Sequence, residues 1–206
     1  MTNTKALEDI KTIRQMMERS VRFSSLSGIS GILAGIYALI GSYLGYRIVY
    51  LENTILKYRE AYVLENQTLI HLIIIALAVL VASVLTGYLF SRQKARAQGR
   101  KLWDRSTRRV LINFSFPMVI GGLLILIMIS RAYYGTVAPL TLIFYGVALF
   151  GAGNFTLKEI KWLGAVQTLI GLTSAIYPGY GIVFWALGFG VMHIIYGAAM
   201  YLKYER

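Results

Sequence analysis

The sequence predicts an all-α, polytopic membrane helical bundle of six transmembrane helices, with N and C termini cytoplasmic. Three observations carry this expectation. Of the 206 residues, 57% are hydrophobic and only 15% charged, against about 25% charged in soluble domains. Six stretches near the roughly 20 residues needed to cross a bilayer contain no Asp, Glu, Lys or Arg. Finally, the 21 Lys and Arg residues crowd onto alternate connections, as the positive-inside rule requires. The apolar runs are continuous, without the two-residue alternation of a β-barrel.

Residues 1–23 place Leu7, Ile10, Met17 and Val21 at helical spacing, with Glu8, Lys11, Glu18 and Arg19 elsewhere around the turn. That pattern predicts an amphipathic helix lying on the inner membrane surface or against a cytoplasmic partner. Its charged length, with no small-residue cleavage pattern after the first span, predicts that the first helix is retained. The transmembrane domain occupies 24–206, with spans at 24–46, 68–91, 110–130, 137–157, 162–178 and 181–202. In the connection after the first span, Leu51, Ile55, Tyr58 and Tyr62 predict a short interfacial helix. Pro117 in the third span removes a backbone donor and predicts a kink. The connections 131–136 and 179–180 are too short for anything but antiparallel neighbours. The fifth span is the shortest and most polar, carrying Gln167, Thr168, Thr173 and Ser174.

Orientation follows from the cations. Lys5, Lys11, Arg14, Arg19 and Arg22 precede the first span, Lys158 and Lys161 separate the fourth and fifth, and Lys203 and Arg206 end the chain. Between the second and third lie Arg92, Lys94, Arg96, Arg100, Lys101, Arg105, Arg108 and Arg109. Only Arg47, Lys57, Arg59 and Arg131 flank the opposite connections. This topology accounts for the net charge of +12 without nucleic acid, for which no motif is present. Membrane lipids with anionic headgroups are the nearer partner, each cation contributing about 1 kcal/mol near the surface. Trp103 in the middle of the basic loop would anchor either headgroups or an unidentified protein partner.

Lipid is as apolar as Leu, so membrane helices associate through small residues and polar contacts. The first span offers Ser27, Gly31, Gly35, Ala38, Ser42 and Gly45 every three or four residues, and the fifth offers Gly164, Thr168, Gly171 and Ala175. These predict seams within the bundle, or alternatively, for the first helix, a homo-oligomer face.

With direction fixed, a rise of about 1.5 Å per residue sets depth. Asn113 and Asn154 fall near the cytoplasmic ends of their spans, Gln167 roughly 8 Å in and His193 roughly 13 Å in. Polar groups at depth are costly and often functional. They therefore predict either a cytoplasm-facing polar cavity, with Tyr145 and Tyr196 as walls, or hydrogen bonds that hold the bundle. His71 lies in the opposite leaflet, which removes a bis-His haem, whose ligands must face each other across one iron. No cysteine is present, which excludes disulfides and thiolate sites. Ser174 and His193 differ in depth by about two turns, against a rhomboid-like dyad, and Ser174 lacks glycine-flanked nucleophile context. No carboxylate sits within a span to act as base or metal ligand. The expectation is a non-enzymatic protein without catalytic residues, cofactor or metal.

The segment Glu8-Asp9-Ile10-Lys11-Thr12-Ile13-Arg14, followed by Ser27-Gly28-Ile29-Ser30-Gly31, resembles the start of an uncharacterised bacterial family of small six-helix membrane proteins. The resemblance covers mostly the first 45 residues and implies a bacterial cytoplasmic (inner) membrane, with no activity attached. Two functions then stand side by side. One is a non-enzymatic membrane component such as a scaffold, accessory subunit or regulator. The other is a small transporter or lipid-handling protein for a neutral or lipidic molecule. Proton and cation relays use intramembrane carboxylates, so ion coupling is not expected.

Overall fold

The computed structural model describes residues 8, 10, 27–51, 66–97, 99, 103, 105–177 and 179–206. Apart from Glu8 and Ile10, the expected amphipathic helix at 1–23 lies outside the described residues, as do 52–65 of the connection expected to hold an interfacial helix, and Arg100 and Lys101. Among the described residues the chain is helical, with no strand.

Among the described residues of 27–206, six helices follow one another. Helix α1 (Gly28–Tyr46) is prolonged by a π-helical turn, Arg47–Leu51. Then come α2 (Asn66–Ala97), α3 (Arg105–Ser130), α4 (Val137–Ala152), α5 (Lys158–Ile176) and α6 (Gly181–Tyr204). All but α5 are long and apolar enough to cross a membrane. Helix α5 has 19 residues, about 28 Å at the helical rise. Glu159, Lys161 and the buried Gln167 dilute its hydropathy, so composition alone does not make it a span. Helix α3 runs unbroken through Pro117.

The fourth expected span is too long at its end. Helix α4 stops at Ala152 instead of 157, because the chain turns at Gly153. A Cβ there would lie 2.8 Å from the Lys161 backbone nitrogen, so only glycine lets α5 return this closely. At the other end of the hairpin, α3 closes with the Tyr133 N–H on Met128 O at 2.9 Å and the Ala132 N–H on Ile129 O at 3.0 Å. This is a Schellman cap. Ala132 takes its left-handed position at φ 60°, where glycine is the usual occupant.

Helix α6 is the hub. It lies between α1 on one side and α4 and α5 on the other, while α2 packs chiefly on α1 and α3 chiefly on α4. The outer helices α2 and α3 therefore present long apolar faces, including Leu77, Val84, Phe116 and Leu126, to the surroundings. In the α1–α6 seam, glycines let backbone approach backbone. A Cβ on Gly31 would come within 3.1 Å of Gly197 Cα, and one on Gly35 within 2.6 Å of Gly190 O. Gly164 and Gly171 perform the same service between α5 and α4, where their added Cβ atoms would meet Phe150 N at 2.5 Å and Ile143 N at 2.8 Å. Gly45 faces α2, with Leu72 Cδ2 at 3.3 Å. Of the two readings of the Gly31–Gly35 face, the structure places α6 of the same chain against it.

The helix ends assigned to one side by the charge pattern do meet on one side. Glu205, just past α6, accepts from Lys94 Nζ on α2 at 2.8 Å and from the Gly28 N–H at the start of α1 at 2.8 Å. Ser27 Oγ adds a bond at 3.3 Å. Glu159 at the start of α5 is bound by Lys203 and, at 3.0 Å, by the Tyr204 hydroxyl. Ser106 near the start of α3 reaches Phe155 O in the α4–α5 turn at 3.4 Å. One carboxylate thus caps α1 and holds α2 to α6.

Burial pushes the Glu205 carboxyl up, but Lys94, the Gly28 N–H and Ser27 outweigh it and hold the group below the ordinary carboxylate value. A depressed folded-state value means stabilisation that is present above the unfolded value, about 4.3 for Glu, and lost as pH falls through the folded one. Glu205→Gln is therefore expected to lower resistance to detergent unfolding at pH 7. The gap between the variant and the wild type should close on acidification below pH ~4. A gap independent of pH would contradict an ionic clamp.

Candidate functional site

The polar groups at membrane depth gather where α4, α5 and α6 meet, and the local backbone of α6 explains why. Residues Ala186–Met192, which include Gly188 and Gly190, form a π-helical stretch. Such stretches widen the helix and recur at functional sites. Here Gly188 O accepts a bond from the His193 ring, Nδ1 to oxygen 3.1 Å. A carbonyl only accepts, so Nδ1 carries the proton. His193 Nε2 lies 2.8 Å from the Tyr145 hydroxyl of α4, and in the neutral ring it accepts that hydroxyl's proton. Both ring nitrogens are thereby committed, one within α6 and one across to α4.

Aromatic packing encloses this pair. The Tyr145 ring meets Phe114 edge-on at 5.8 Å and Phe189 at 5.0 Å, and Trp185 lies 4.9 Å from Phe189. Three helices, α3, α4 and α6, thus contribute rings to one cluster. Gln167 reaches it from α5 and is fully buried. Its side chain fills the space that Gly188 leaves, since a Cβ at Gly188 would overlap Gln167 Oε1 and Leu142 Cδ2. Neither end of the Gln167 amide has a hydrogen-bond partner, nor has the Ser174 hydroxyl two turns along the same helix. His193 and Ser174 form no dyad, because both imidazole nitrogens are bonded to other groups.

Of the expected polar cluster, His193, Tyr145 and Gln167 come together. The two asparagines do not. Asn113 is exposed on α3 and bonds back to Arg109 O at 2.9 Å. Asn154 lies in the turn after α4, bonding Gly151 O at 3.2 Å and accepting from Lys161 Nζ at 3.0 Å. Tyr196 is half-buried on the α1 side of α6, where a Cβ on Gly31 would lie 3.5 Å from its ring. His71 is exposed on α2.

The basic face is built from helix ends. Arg92 and Arg96 are exposed on the last turns of α2, and Arg108 and Arg109 on the first turns of α3. Lys94 is half-buried by its bond to Glu205. Arg105 opens α3, and Trp103 between the helices is 70% exposed. Beside them Lys158, Lys161, Asn154 and Trp162 line a shallow groove of about 390 Å³, which sequence reasoning did not assemble. The signal was there in Lys158 and Lys161, three residues apart at the start of one helix.

At the opposite end, residues of α1, α2, α4 and α6, with Ile129 of α3, line a partly open apolar cavity of about 230 Å³. His193 is not in its wall. Comparisons of this chain with protein-family models, with curated proteins and with solved structures return no match.

The Tyr145–His193 bond holds α4 to α6, and interhelical bonds of this kind average about 0.6 and reach about 1.7 kcal/mol. Tyr145→Phe and His193→Leu should each lower the unfolding free energy in bicelles by roughly that range. The double variant should lose less than the sum, because each substitution removes the same bond. Strict additivity would mean that the two side chains do not act on one another.

Proposed function

We propose that this chain is a non-enzymatic, six-pass component of the bacterial cytoplasmic membrane, of the scaffold or regulator kind. Its working surface is the basic cytoplasmic rim. The observation that carries the reading is the exposed set Arg92, Arg96, Arg108 and Arg109, at the helix ends on the same side as the Glu205 clamp. Cations at that level attract anionic headgroups, about 1 kcal/mol each. The neighbouring groove with Lys158 and Lys161 continues the same surface, and Trp103 and Trp162 add aromatic rings of the kind that favour the headgroup level.

Two further facts support the reading, one for a non-catalytic core and one for six passes. His193 spends both nitrogens on helix-holding bonds, which leaves no lone pair for proton transfer without breaking one. Helix α5, although less apolar than the others, lies against both α4 and α6, which favours its crossing with them. The choice of membrane rests on the resemblance read from the first 45 residues. The lipid-handling alternative is favoured by one separate observation, the apolar cavity at the far end.

Replacing Arg92, Arg96, Arg108 and Arg109 by Gln tests the rim. In proteoliposomes, spin-labelled phosphatidylglycerol should associate with the wild type several-fold more than phosphatidylcholine does, and the variant should lose that preference. A variant that inverts in the membrane while keeping its lipid preference would show that these charges only orient the chain.

A further inference from the structure

The far-end cavity departs from ordinary helix packing in two ways. Its wall is made by residues such as Gly45 on α1, Leu72 and Ala76 on α2, Ala138 on α4 and Trp185 on α6. Helices α2 and α3 pack on different partners, so the space lies where the two halves of the bundle diverge. It reaches from the Tyr134–Gly135 and Gly179–Gly181 turns to Thr141 and Trp185, about 10 Å of helix. At about 230 Å³ it is smaller than the roughly 300–1,000 Å³ of drug-sized pockets. It suits one slender chain.

The second departure is Ser42. Hydroxyls in helices normally bond back to a carbonyl three or four residues earlier. Ser30, Ser130, Thr141, Thr168 and Thr173 all do so here, at 2.7 to 2.9 Å. Ser42, also on a helix and only 6% exposed, does not, and its Oγ, like that of Ser174 on α5, has no hydrogen-bond partner. Ser42 lies in the cavity wall. A buried hydroxyl without a partner costs about 1–3 kcal/mol, a cost that a hydrogen bond to a guest would offset. Thr141, in the same wall, donates to Ala138 O and offers a guest only its acceptor pairs.

We propose that this cavity is a binding site for a neutral membrane lipophile, a slender apolar chain bearing one carbonyl or hydroxyl that hydrogen-bonds to Ser42. The lining is mostly apolar, which favours burial of an apolar chain. The wall described here presents no charge to hold an ionic headgroup. The chain enters sideways from the hydrocarbon between α2 and α3, so no aqueous path is required. This site stands independently of the basic rim, which lies at the other end of the bundle.

Trp185 reports on occupancy. With Trp103 and Trp162 replaced by Phe, the full-length protein in phosphatidylcholine vesicles carries Trp185 as its sole indole. Added 11-bromoundecanol should quench it saturably, and 1-bromoundecane should need about tenfold more, the size of one neutral hydrogen bond. Ser42→Ala should bring the two probes together, and Ala138→Leu or Ala76→Phe should weaken both. Saturable quenching by acyl-brominated phosphatidylcholine in place of the alcohol would assign the site to the ester carbonyl and chain of a glycerolipid. Quenching that rises linearly with every probe, in the parent protein alone, would overturn the proposal whatever the substituted proteins do.

Discussion

Everything in this bundle depends on how closely the backbones of α1 and α6 approach. Gly31 and Gly35 on α1, with Gly190 and Gly197 on α6, remove the side chains that would separate them. Lipid offers no hydrophobic drive for helices to associate, so such contact must come from dispersion between smooth surfaces. Once α6 lies in that seam, its opposite face meets α4 and α5. Its last turn then carries Glu205 over the start of α1. The π-helical stretch sits at the middle of this arrangement, where it supplies the Gly188 carbonyl to His193 and leaves room for Gln167.

The two ends of the bundle are chemically unlike. On one side helix termini are tied by Glu205 and Glu159, and the surrounding arginines remain exposed. On the other, glycines and alanines leave an apolar cavity with a single unsatisfied serine in its wall. The aromatic and polar cluster around Tyr145 and His193 separates them. The Tyr145–His193 bond runs from α4 to α6, and the His193–Gly188 bond stays within α6.

Much of this was legible in the sequence. Apolar length and basic asymmetry set the helix count and the shared side of the helix ends, because both reflect the bilayer directly. The small-residue stripe on α1 was visible from its spacing, but the identity of its partner was not, since spacing shows a smooth face and not what covers it. Depth arithmetic brought Tyr145, Gln167 and His193 together. It failed for Asn154 because the span was carried five residues past Ala152, through a glycine turn that continuous hydropathy conceals. It failed for Asn113 because depth says nothing about direction around the helix. Glu205 and Ser42 were invisible for a related reason. Their significance comes from which other helices converge on them, and no local pattern records that.

Glycine-mediated contact is best tested by unfolding free energies in bicelles for four leucine substitutions. A Cβ at Gly35 would lie 2.6 Å from the Gly190 carbonyl oxygen, and one at Gly197 2.5 Å from Ile32 N, whereas Gly87 and Gly122 have nothing within 4 Å. Gly35→Leu and Gly197→Leu should each destabilise by more than the 1–3 kcal/mol or so typical of overpacking, since rigid backbone cannot yield. Gly87→Leu and Gly122→Leu should be neutral or mildly stabilising, by up to about 1 kcal/mol of helix propensity. Equal effects at all four positions would contradict the α1–α6 seam as the foundation of the fold.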